Sequence, residues 1–313
     1  MRFLPAVLLA ACAGNGANQD LENAAFFGNT IRLALAEGDF DRAVEDSRRG
    51  LERFPDSSVI LAWNALVAQM QWQESRALAL LRKLREGDDY AGIEYAELQG
   101  RIGDLLFRTG SYSDSIPFLN AAGDGPQAAR RSALVELARE LPYERLQPGR
   151  LVAELPLLEG SLPTLLCSVA DRQRPFVLDT GASMTALTRS LATELGVAPV
   201  VEAGTAVDGT GRELPVALGV LHALSLGTVR LDSQPVLVVD DSALSLKDPF
   251  GGPMQAPKAV VGLDVLARFR VTFDPTRQSV LFELSRGLDE PRAVGCVQFD
   301  GRCLVPVRVE GRR

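Results

Sequence analysis

Asp179 closes a short apolar run, Phe176-Val177-Leu178, and is followed at once by Thr180-Gly181-Ala182-Ser183. A strand that ends in an aspartate and turns through small hydroxylic residues carries one carboxylate out of a packed core into a ring of hydrogen-bond donors. Such a carboxylate can serve as one half of an acid–base pair. Two carboxylates in close contact cannot both ionise, so they share one proton. The ionised member can take a proton from water while the protonated member polarises a carbonyl. The chain holds a single Asp-Thr-Gly, so this chemistry asks for a second loop from elsewhere.

The elements that must position Asp179 can be read around it. Phe176–Leu178 is the strand that delivers it. Further on comes Lys258-Ala259-Val260-Val261-Gly262-Leu263-Asp264-Val265-Leu266, and then the strand pair Phe269–Asp274 and Gln278–Phe282 around the turn Asp274-Pro275-Thr276. Between the two motifs lies a Gly-rich turn, Val207-Asp208-Gly209-Thr210-Gly211-Arg212.

Asp179-Thr180-Gly181-Ala182-Ser183 resembles the active-site loop of the retropepsin-like aspartic proteases, and the order of these elements over residues 150–285 follows that family. The resemblance implies that Asp179 is the catalytic carboxylate and that Gly181 lets the backbone turn close beneath it. It implies that Thr180 ties two aspartate loops together across a dyad and that Ser183 bonds the outer carboxylate oxygen, with Ala182 completing the loop. Val260, Val261 and Gly262 would pack under the loop ahead of a short helix, with Asp264 as that helix's N-cap rather than a second catalyst. Asp208, Gly209, Thr210 and Gly211 are flap candidates over substrate, or an ordinary hairpin turn. Residues 241–257, with Pro249, Gly251, Gly252 and Pro253, form an insertion that either shapes the cleft or is a surface loop.

Composition narrows the alternatives. The 313 residues are 46% hydrophobic, enough for two cored domains, and the net charge is −7 with no basic stripe, which argues against nucleic acid as a partner. The single histidine, His222, removes most histidine-based catalysis and metal binding and reads as a strand residue in Leu-His-Ala-Leu. No metal and no cofactor is expected.

The first residues, Met1 to Cys12, read as an export signal: one Arg, a short apolar run, then small residues. Leu9-Ala10-Ala11-Cys12 resembles the bacterial lipobox, which implies lipidation of Cys12, a tether up to residue 19, and a place on the periplasmic side of the cell envelope, anchored to the outer membrane. Of the other cysteines, Cys296 and Cys303 flank a hairpin around Asp300-Gly301 that would pair Gln298 with Cys303. A disulfide there is allowed by export and not compelled.

The chain has two halves with different grammar. Residues 20–141 are rich in Ala, Leu, Arg and Glu, with apolar positions recurring at three and four. Phe40, Trp72 and Tyr112 follow similar punctuation and bracket a helix-pair period of about 34 residues. This segment resembles divergent tetratricopeptide repeats (TPR), whose stacking leaves a concave groove for a peptide or protein partner. A helical spacer or a dimerisation surface would use the same pattern. A linker over 142–150 then leads to short Val/Leu-rich strands with Gly and Asp turns, expected over 151–158, 163–170, 174–179, 213–219, 228–231, 234–240, 269–273 and 279–284.

The expected fold class is therefore multidomain α plus β: a TPR-like helical solenoid followed by an all-β retropepsin-like barrel over 150–287. Residues 292–313 form a C-terminal hairpin. It echoes Leu158–Arg172, and so reads either as the start of a second, truncated lobe or as a hairpin that completes this domain or its dimer interface. The missing aspartate would come from such a lobe or, most simply, from a symmetric homodimer. The expected activity is an aspartic endopeptidase acting on peptide or protein substrates. The alternative is a non-enzymatic envelope scaffold that works through its repeats, with the β-domain for binding or dimerisation.

Overall fold

The computed structural model describes residues 23–123, 127–141, 152–207, 211–244, 256–284, 297–299 and 302–304. The linker expected over 142–150, the N-terminal segment with Cys12, and most of the 241–257 insertion lie outside these residues.

The N-terminal half is an array of helices: α1 (Ala24–Glu37), α2 (Phe40–Arg53), α3 (Ser58–Met70), α4 (Glu74–Glu86), α5 (Tyr95–Arg108), α6 (Tyr112–Asn120) and α7 (Ala128–Glu140). The first helices of successive pairs start 34 residues apart (24 to 58) and then 37 apart (58 to 95). Sequence explains the boundaries. Asn23 caps α1 by accepting from Phe26 N at 2.8 Å, and Gly38 ends it with φ of 75°, a left-handed conformation that suits glycine. Phe40 and Tyr112 open the second helices of their pairs, and Trp72 sits in the turn between α3 and α4. Helix α3 is apolar on nearly every side because it lies in the middle of the array. Its one buried amide, Asn64, is satisfied by Ser47 Oγ at 2.7 Å and by the carbonyls of Ser47 and Ile60. Arg131 on α7 is 3% exposed. It pairs with Glu97 at 2.9 Å and Asp104 at 3.6 Å on α5, which compensates its desolvation.

The second half is a β domain with strands β1 (Val152–Pro156), β2 (Thr164–Val169), β3 (Arg172–Leu178), β4 (Ala186–Thr188), β5 (Pro199–Val207), β6 (Glu213–Leu226), β7 (Val229–Val239), β8 (Ala259–Val261), β9 (Phe269–Asp274) and β10 (Ser279–Leu284). Two short helices, α8 (Arg189–Glu194) and α9 (Leu263–Leu266), interrupt them. The main sheet runs β2-β3-β8-β4-β7-β6-β5 and is closed by a β2–β6 pairing, so it is barrel-like; a second sheet runs β1-β10-β9. Phe176, Leu187, Leu221, Val236, Val261 and Phe282 meet in the core between them.

Several strands differ from the sequence reading. The expected strands over 228–231 and 234–240 are one strand, β7, that passes through Pro235. At Pro235 the strand pairs only with β6, because β4 begins alongside Leu237, so no ladder bond is lost. Pro175 in β3 is tolerated for the same reason: β8 begins alongside Val177. The short β4, helix α8 and strand β5 had no counterpart in the sequence reading. The C-terminal hairpin, β11 (Val297–Phe299) and β12 (Arg302–Leu304), pairs Gln298 with Cys303 and forms its own two-stranded sheet. It lies against α3 rather than joining the barrel. Cys296 lies outside the described residues. Among the described residues, no helix is long and apolar enough to cross a membrane.

The two halves are in contact. Phe107, Tyr112, Leu134 and Leu137 of the helical unit share one apolar cluster with Leu218 and Val220 of β6, joined by Met184, Val201 and Leu237. Within the helical unit Gly103 packs against neighbouring backbone, where a Cβ would lie 2.8 Å from Leu119 Cγ and 2.9 Å from Leu119 N. Gly103→Ala gains about 1 kcal/mol of helix propensity but overpacks against backbone, at a cost of about 1–3 kcal/mol. We expect a net loss of stability, read as a lower midpoint in chemical unfolding.

Candidate active site

Strand β3 is buried at Phe176, Val177 and Leu178, and it pairs in parallel with β8 through Val177↔Val260 and Leu178↔Val261. The ladder continues one residue further. Asp179 N donates to Val261 O at 3.1 Å, so the aspartate is fixed at the strand's end while its side chain is exposed. Gly181 N donates to Asp179 Oδ1 at 2.7 Å, and Ala182 N to Asp179 O at 3.2 Å. Leu263 N, at the start of α9, donates to Ala182 O at 2.8 Å. The far limb is held as well, since Leu237 N donates to Thr185 O at 2.9 Å. The loop is pinned from three directions by main-chain bonds, and this gives the carboxylate a defined position.

Gly181 does not adopt a left-handed conformation; a Cβ there would sit 3.0 Å from Asp179 Oδ1, which is why a small residue belongs at this point. Thr180 and Ser183 are exposed. Among the described residues Ser183 makes no hydrogen bond to Asp179. Nor is any second carboxylate bonded to Asp179 among them.

Val260 and Val261 are buried beside the loop, and Gly262 lies directly under its far limb. A Cβ on Gly262 would lie 2.5 Å from Met184 C, 2.6 Å from Met184 O and 2.9 Å from Thr185 N. All three are backbone atoms. The N-cap of α9 is Gly262 and not Asp264, which corrects the sequence reading. Asp264 sits in the helix's first turn and turns its carboxylate inward, accepting from Thr185 N (2.8 Å), Thr185 Oγ1 (2.9 Å) and Gln234 Nε2 (2.7 Å). Burial pushes its pKa up from 3.8 to about 6, against these donors, which pull it down. Asp264 is therefore a structural acid, bonded to Thr185 and Gln234.

Of the flap candidates, Asp208, Gly209 and Thr210 lie outside the described residues, and Gly211 follows with φ of 85°. The segment joins two paired strands, with Val207 opposite Glu213. Cys12 lies outside the described residues. His222 is an exposed residue of β6. Sequence reasoning missed Thr185, Gln234 and Arg268. Thr185 carried a weak signal, a hydroxyl soon after the loop; Gln234 and Arg268 carried none.

Residues 166–265, from β2 to α9, match the family model described as aspartyl protease. No curated protein matches the chain. Among solved structures, it is similar to a retropepsin-like aspartic protease from Rickettsia conorii, at 20% identity over 42% of this chain and 97% of that one, with a TM-score of 0.29. The MamA RS-1 ArsTM double mutant is 19% identical over 39% of this chain and 67% of that one, with a TM-score of 0.33. The retroviral protease-like domain of Ddi1 from Leishmania major is 18% identical over 49% of this chain and 98% of that one, with a TM-score of 0.26. The matched stretch takes in both the Asp179 loop and the Gly262 turn beneath it.

Two predictions follow from this packing. Gly262→Ala should cost about 3 kcal/mol, because backbone on both sides of the contact has little room to shift; a drop in thermal midpoint checks it. Asp264 has a raised pKa in the folded state, so the folded protein holds a proton that the unfolded chain releases between pH ~4 and ~6. Its contribution to stability falls as pH rises through that window, by about 2–3 kcal/mol. Asp264→Asn removes this dependence, so the variant should gain on wild type across pH 4 to 6 in parallel denaturant titrations.

Proposed function

We propose that the chain is an aspartic endopeptidase in which Asp179 from each of two copies forms the catalytic dyad. The observation that carries this reading is the exposed Asp179 carboxylate, held at the end of a buried strand in a loop of aspartyl-protease type, with one main-chain donor and no second carboxylate bonded to it among the described residues. A two-fold axis beside the loop would bring a second Asp179 against the first.

In this reading the two aspartates share one proton. The ionised one takes a proton from water as the water oxygen bonds to the amide carbon, and the protonated one gives its proton to the carbonyl oxygen. Collapse of the resulting gem-diol sends a proton to the amide nitrogen as the C–N bond breaks. Thr180 would tie the two loops together, and Ser183 would bond the outer oxygen once the loops meet. The β5–β6 hairpin with Asp208, Gly209, Thr210 and Gly211 would fold over an extended peptide. The helical repeats would present a protein substrate or partner, and Cys12 would anchor the protein by lipid at the periplasmic face of the outer membrane.

Asp179→Asn tests the reading. Peptide hydrolysis at acidic pH should fall by about 10²–10⁴-fold, the contribution of a positioned acid–base group, while circular dichroism and thermal midpoint stay unchanged. Hydrolysis equal to wild type would refute the mechanism. Sedimentation should report a dimer under assay conditions. A persistent monomer without activity would favour the scaffold alternative instead.

A further inference from the structure

The helical unit does more than sit beside the β domain. The Tyr112 side chain, at the start of α6, is 3% exposed, and its hydroxyl is hydrogen-bonded to the guanidinium of Arg268. Arg268 in turn donates from Nε to Asp264 O at 2.7 Å. The Asp264 carboxylate receives both the amide and the hydroxyl of Thr185, at 2.8 and 2.9 Å. Thr185 ends the limb that begins at Asp179. A continuous buried polar path thus runs from the first turn of a repeat helix to the far limb of the aspartate loop.

The apolar contacts follow the same route. Met184, next to Thr185, and Leu237, whose amide bonds Thr185 O, both pack in the cluster that contains Tyr112, Leu134 and Leu137. Leu237 pairs with Leu218 and Ala186, and Ala186 with Val260 beside the loop. The helical face and the loop therefore share one row of the sheet.

We propose that Tyr112 is a positioning residue of the active site, holding the Asp179–Thr185 loop through Arg268 and Asp264, so that the helical unit is a structural part of the catalytic centre. The proposal rests on the reading of Asp179 as catalytic only for its consequence in rate. A half-buried guanidinium needs acceptors in fixed places. The Tyr112 hydroxyl supplies one of them from another domain. Removing it lets Arg268 reorient, and α9 with Asp264 loses a brace. A displaced loop misaligns the carboxylate, which costs rate more than substrate binding.

The test is Tyr112→Phe in the full chain, which keeps the ring against Phe107, 4.9 Å away between centroids, and removes only the oxygen. Hydrogen–deuterium exchange should be at least several-fold faster in peptides covering 179–185 and 262–268, with α1 to α4 unchanged. On a peptide substrate, kcat should fall about tenfold with KM within twofold. Arg268→Lys should give the same pattern, and the double variant should be no worse than either single one. Tyr95→Phe, an exposed tyrosine of the same unit, should change nothing. Unchanged exchange over 179–185 in Tyr112→Phe overturns the proposal whether or not the wild type cleaves peptides. Faster exchange with kcat unchanged overturns the positioning role. A wild type that hydrolyses nothing, with Tyr112→Phe still loosening the loop, would count against the catalytic reading of Asp179 alone.

Discussion

The β domain depends on one close approach of two backbones. Gly262 passes under Met184 and Thr185 with no room for a side chain between them. That contact lets β8 lie beside β3 and still turn into α9 beneath the aspartate loop. Once it is made, the bonds Asp179 N to Val261 O and Leu263 N to Ala182 O fall into place from either side of Gly262. The carboxylate can then be exposed without being loose, because main chain rather than side chain holds it.

Burial of Asp264 is the counterpart of that approach. An acid in the interior is costly to ionise, and three donors from Thr185 and Gln234 offset only part of the cost. The group joins three elements that are distant in sequence: the far limb of the loop, the start of the β7 stretch that pairs with β4, and helix α9. Acid conditions that protonate Asp264 relieve this cost, and they are also where a shared-proton dyad would operate. Fold stability and the proposed chemistry therefore favour the same pH range.

Legibility followed the range of the interactions. The strand entering Asp179, the Val260-Val261-Gly262 element and the strands β9 and β10 were readable because each has a local pattern of apolar residues and turns. The helix pairs were readable for the same reason, through a period that Phe40, Trp72 and Tyr112 mark. Strand β4 was not, since three residues carry no alternation. Strand β5 was hidden by register shifts between Pro199 and Val201 and between Glu202 and Thr205, which break the period of two. The role assigned to Asp264 was mistaken because an acid in a helix's first turn looks like a cap in sequence, whatever its side chain faces.

The sequence by itself determined which carboxylate stands at the end of a strand, what small residues follow it, and that one chain holds a single such loop. These are properties of neighbouring residues, and short-range sterics and hydrogen bonding decide them. Only the tertiary structure decided what supports the loop. Gln234 comes from β7, Tyr112 from α6, and Asp264 and Arg268 from α9 and the residues just after it, three segments with no common spacing. Their partnership exists because the barrel closes and the helices dock on it, bringing their polar atoms together where water is excluded and each must find a partner.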